Sequence, residues 1–124
     1  FYLLDPEKGQ SGCVRAGDFT SPMARVCLDQ AWAAGAALQV LFMADLDLLD
    51  RVRGARGYRH AMLAAGRLGH RVYLAATALG LGCCGIGAFY DGEARALLGL
   101  EGGVRLLYLL AVGPVQGGLR SRSG

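Results

Sequence analysis

Nineteen consecutive residues, Val72 to Tyr90, carry no charge, and this run constrains the chain more than any other feature. Its length would suit a membrane-spanning helix, which needs about 20 apolar residues. Glycines at 80, 82, 85 and 87 argue otherwise. Each costs a helix roughly 1 kcal/mol relative to alanine. The run therefore reads as the end of a buried helix, a turn, and then a strand. No membrane association is expected.

The rest of the chain fits around that bend. Phe1–Leu4 reads as a strand, Asp5–Gly9 as its turn, and Cys13–Arg15 as a short return strand. Ser21-Pro22 predicts a helix start, with serine capping and proline at the first helical position. That helix is expected to run to about Ala34 and stop at Gly35. Ala36–Ala44 and Val104–Val112 are continuous apolar runs, the pattern of strands covered on both faces. Asp45–Arg53 predicts a short helix and Tyr58–Leu79 a long one. Along the long helix Ala61, Ala65, Gly69, Val72 and Ala76 form a small-residue stripe, which lets another backbone approach closely. Asp91 to Leu98 predicts a last short helix, stopped by Gly99. The order is hairpin, helix, strand, helix, long helix, strand, helix, strand, in a single domain over residues 1–124.

Composition excludes several classes. With 53% hydrophobic and 19% charged residues the chain is not disordered. A net charge of +3, scattered along the sequence, gives no basis for nucleic-acid binding. The four cysteines, Cys13, Cys27, Cys83 and Cys84, show no CxxC spacing, so no zinc site is expected. A reducing cytoplasm is the expected location. His60 and His70 read as ordinary surface or core histidines, and Asp45, Asp47 and Asp50 as the polar side of a short helix. Trp32, Phe42 and Met43 are expected in the core. The first residue is Phe1, which suggests a fragment or a processed product.

Three local patterns could carry chemistry. Gly80–Gly85 matches GxGxxG, but the helix precedes it and the strand follows, the reverse of a dinucleotide fingerprint. The segment Gly85, Ile86, Gly87, Ala88 offers main chain with few β-carbons, against which a flat ring can lie. The same glycines also fit a tight packing corner. Arg120-Ser121-Arg122 could hold a phosphate, or form a solvated basic tail. Cys83 and Cys84 read as structural, since strand neighbours point to opposite faces and at most one would line a given pocket.

Taken together, Gly57-Tyr58-Arg59, Ala65–Gly69, Leu74–Asp91 (LAATALGLGCCGIGAFYD), Leu97–Leu100 and Leu106–Pro114 (LLYLLAVGP) resemble the FMN-dependent nitroreductase family. The strongest likeness is to its SagB-type branch, which includes azoline dehydrogenases, and the opening FYLLDPEKG is similar to a hairpin of that branch. The resemblance implies an α+β nitroreductase-like fold, with a mixed sheet flanked by helices and incomplete at the N-terminus. It implies an oxidoreductase working as a homodimer, with FMN at the subunit interface and hydride passing through the flavin. By position, Gly85, Ile86, Gly87 and Ala88 match the segment against the flavin ring, and Arg120 and Arg122 match a basic pair on the FMN phosphate. Tyr58 falls on the substrate side. NADH or NADPH would donate electrons, and the substrate would be a small molecule or a peptide. The chain differs from the family in two places. The N-terminal part with its arginine–serine phosphate motif is absent, implying a missing segment or partner chain. A Lys-Tyr pair of the azoline dehydrogenases is replaced by Val52-Arg53. These departures keep open a second reading, a non-catalytic binding or scaffold subunit on the same fold.

Overall fold

A computed structural model of the chain describes residues 1–115. The strands are β1 (Tyr2–Asp5), β2 (Gln10–Cys13), β3 (Leu38–Asp45), β4 (Gly82–Ile86) and β5 (Val104–Gly113). The helices are α1 (Thr20–Val26), α2 (Leu46–Arg53), α3 (Arg56–Ala78) and α4 (Asp91–Leu98), with a 3-10 turn at Ala31–Gly35.

The main sheet has the order β3-β5-β4. The most apolar strand is central: Leu109 and Leu110 of β5 are wholly buried, one toward each face. A mixed sheet was expected, but every pairing among the described strands is antiparallel. β3 and β4 run the same way, yet β5 inserts between them, so neither has a parallel neighbour. Helices cover both faces. α1 and α4 close one with Met23, Ala24, Val26, Ala94 and Leu98, packed on Ile86, Leu109 and Ala111. α3 closes the other.

The small-residue stripe of α3 explains how close that second contact is. Ala65, Gly69 and Ala76 are buried and Ala61 and Val72 half-buried. A β-carbon on Gly69 would stand 2.7 Å from Cε1 of Tyr108, so the ring lies directly on the helix backbone. Phe42 stacks on that ring at 6.1 Å between centroids. α3 ends where the sequence predicts, with Gly80 at a φ of +70°.

Four expectations need correction. The first helix does not reach Ala34. Leu28 and Asp29 take φ values of 58° and 57°, and the chain doubles back into the 3-10 turn. The side-chain amide of Gln30 donates to the Cys27 carbonyl at 2.9 Å, holding that reversal. Ser21 is not the cap either: the helix begins at Thr20, Phe19 holds the N-cap position without a side-chain bond, and Asp18 accepts from the Thr20 amide (2.9 Å) and hydroxyl (2.6 Å). The return strand of the hairpin is Gln10–Cys13, closer to the turn than Cys13–Arg15. Trp32 is not core. It stands half-exposed on the 3-10 turn, where its indole N–H reaches Gln30 at 3.2 Å. Phe42 and Met43 are partly buried, on a strand that is at the edge among the described strands.

At the start of β5, Gly103 gathers charged groups. A β-carbon there would lie 2.6 Å from Oδ1 of Asp45 and would meet Asp47 as well. The guanidinium groups of Arg95 and Arg105 both donate to the carbonyls of Gly102 and Val104. Arg95 thus ties α4 to the start of β5, with Asp45 and Asp47 of the α2 end packed against Gly103. Asp45 also caps α2, accepting from the Leu48 amide at 3.0 Å.

Candidate functional site

The exit of β4 is built on two glycines of opposite character. Gly85 is closed in: a β-carbon on it would overlap the Tyr108 phenol oxygen. Its amide is used too, donating to the phenol oxygen of Tyr73 at 2.6 Å. Ile86 turns its side chain into the core beneath α1 and α4 and is 5% exposed. Gly87 is open, with nothing among the described residues within 4 Å of where its β-carbon would be. Ala88 is exposed beside it. Of the four predicted residues, Gly87 and Ala88 thus present accessible main chain, and Gly85 and Ile86 anchor it. Main chain is therefore open at Gly87–Ala88 and closed on the α3 side of Gly85.

A groove of about 670 Å³ opens at the other end of β4. Trp32, Gly35, Gly82, Cys83, Cys84 and Val112 border it. Both cysteines take part, contrary to the expectation that at most one would, because the groove wraps the strand's end. Burial, and then the neighbouring Cys84, push the Cys83 thiol up, so it is no ready nucleophile. Burial is also the main cause that raises the Tyr108 phenol, followed by Tyr73 and the two thiols. Tyr108 is therefore an O–H, not a phenolate, throughout the neutral range.

The other predicted residues are dispersed. Tyr58 is exposed on the first turn of α3. Arg120 and Arg122 lie outside the described residues. His60 and His70 are exposed on α3. Among the described residues no cluster of three or more His, Cys, Asp or Glu could hold a metal, and no helix is long and apolar enough to cross a membrane. All four cysteines are free thiols. Sequence reasoning missed Tyr73 and Tyr108. Each is a single hydroxyl within an otherwise apolar run, Val72–Ala76 and Leu106–Val112, and that isolation was the available signal.

Comparison with known proteins gives a consistent result. A family model described as "Nitroreductase family" matches residues 5–114. A Methanocaldococcus jannaschii protein with a nitroreductase name is 38% identical over 100 residues, covering 81% of this chain and 50% of its own length. The chain thus spans about half the length of that relative. A crystal structure of an Anabaena variabilis protein, also given a nitroreductase name, superposes with a TM-score of 0.87. It is 30% identical, over 93% of this chain and 24% of that one. The NADPH:FMN oxidoreductase of Vibrio harveyi, solved with NAD+, superposes with a TM-score of 0.67 at 21% identity. That match covers 98% of this chain and 53% of the other, and shows shared fold alone.

Proposed function

The chain belongs to the nitroreductase family, and on that footing we propose that it forms the C-terminal part of an FMN-dependent oxidoreductase domain that acts as a homodimer. The observation that carries this reading is the pair of glycines at the exit of β4. Gly85 is sealed from behind by two tyrosines, and Gly87–Ala88 is left bare. Main chain presented in this way can bring amide donors within reach of a planar ring without side chains in between. FMN supplies hydride transfer when bound.

This chain's own contribution is placement. Gly87 and Ala88 would lie against the ring, Ile86 would hold them from the core, and Arg120 and Arg122 would bind the phosphate. Tyr58, exposed at the head of α3, would lie on the substrate side. NADH or NADPH serves as donor and a small molecule or peptide as acceptor, in the cytoplasm. The SagB-type branch is supported by the sequence blocks quoted above. A second copy completes the site by covering the outward apolar side of α3, where Tyr58, Met62 and Leu63 are exposed.

The visible absorption of the purified full-length protein tests the reading. We expect a flavin spectrum and FMN uptake by the stripped protein. A full-length dimer that stays colourless with excess FMN rejects it and favours the binding or scaffold reading.

A further inference from the structure

Gly85 is held from two directions by groups that packing alone does not require. Along the strand's free edge, Tyr73 of α3 accepts its amide at 2.6 Å. Among the described strands β4 pairs with β5 alone, so an amide on its other edge has no strand partner there. On the sheet face, Tyr108 of β5 sets its phenol oxygen where a side chain of residue 85 would begin. Tyr108 is itself fixed between the backbone at Gly69 and the stacked ring of Phe42. A phenylalanine would fill either ring site. What tyrosine adds in both cases is one oxygen: that of Tyr73 takes the Gly85 amide, and that of Tyr108 stands against the same glycine.

We propose that Tyr73 and Tyr108 are positioning residues that fix the exit of β4, and with it the Gly87–Ala88 main chain, at a set place relative to α3 for a planar cofactor. This rests on the flavin reading above. The chemistry explains the need. Amides aimed at a ring act only if they are held within a fraction of an ångström, and an edge strand with one neighbour does not hold itself so closely. Tyr73 supplies the missing second partner on that edge. Tyr108 prevents the strand from sinking toward α3.

The test uses the full-length protein with Tyr73→Phe and Tyr108→Phe. In the flavin-free native protein, the Gly85 amide should exchange with deuterium at least tenfold more slowly than the exposed Gly87 amide. In Tyr73→Phe that protection should fall at least tenfold. FMN affinity should drop fivefold or more in Tyr73→Phe, with a shifted flavin midpoint potential, and less in Tyr108→Phe. Gly85 exchange as fast as Gly87 in the native protein overturns the proposal, even if the Tyr73 variant fails to fold. Lost protection with unchanged FMN affinity and potential also overturns it, and leaves the flavin reading standing. A native protein that takes up no FMN overturns both.

Discussion

The two helical layers on either side of the sheet are finished differently. α1 and α4 bury their apolar side chains on Leu109 and Ala111 and show solvent Ser21, Arg25, Asp91 and Glu93. α3 buries small residues and turns its large ones outward: Tyr58 is 53% exposed, Leu63 66% and Leu74 58%. One layer is a completed protein surface. The other is a tight contact inside and an apolar side outside that the described residues leave uncovered. The inner stripe is small because it must meet backbone and a tyrosine ring. The outer side is large because, in the proposed dimer, it would meet another copy.

The largest expected effect lies inside. Gly69→Leu must put four carbons where the first already meets Tyr108 at 2.7 Å. We expect failure to fold, read as insoluble protein or loss of the thermal transition. Gly69→Ala should cost about 1–3 kcal/mol, the usual range for overpacking a filled site. If Gly69→Leu folds normally, the inner contact is looser than described and the contrast between the layers fails. The next effect lies outside. The double change Met62→Asp and Leu63→Asp should leave helix content intact and convert a dimer to a monomer, measured by light scattering. A dimer that survives those two charges removes the outer side of α3 from the interface.

Much of this architecture was legible in the sequence, for identifiable reasons. Strand β5 and helix α3 were readable because long runs carry enough periodicity to outweigh local exceptions. The inner stripe was readable because small residues at spacings of three and four have few other uses. The first helix was misjudged because its stop is two positive-φ residues, Leu28 and Asp29, with no glycine or proline to mark it. Trp32 was misplaced with it. The split between Gly85 and Gly87 could not be read, since two identical residues in one short segment differ only in what approaches them from α3 and β5.

A smaller effect separates the layers by pH. Burial pushes the Cys27 thiol, under the α1 layer, above its ordinary value of 9.0. A raised value means the folded state holds the proton more tightly than the unfolded chain. Its contribution is therefore complete below about pH 9 and declines as pH rises toward the folded value. Unfolding curves from pH 8 to 11 should show stability falling above pH 9, with a shallower fall in Cys27→Ala. In the native protein at pH 8, thiol reagents should modify exposed Cys13 and Cys84 well before Cys27. Prompt reaction of Cys27 would mean that the layer opens readily.

The smallest effect belongs to the finished surface. Arg25 of α1 and Glu93 of α4 form an ion pair at 3.6 Å, with both side chains largely in solvent. Water and salt screen such a pair, and holding two long side chains together costs rotamer entropy. Its worth is therefore about 0–1 kcal/mol. Glu93→Gln should shift the denaturation midpoint by no more than that, and the shift should vanish at 1 M salt. If the loss is instead several kcal/mol and salt-independent, α1 and α4 are joined by their charges rather than by Met23, Ala24, Ala94 and Leu98. The difference between the layers would then lie in how each is held to the sheet, not in which side each leaves apolar.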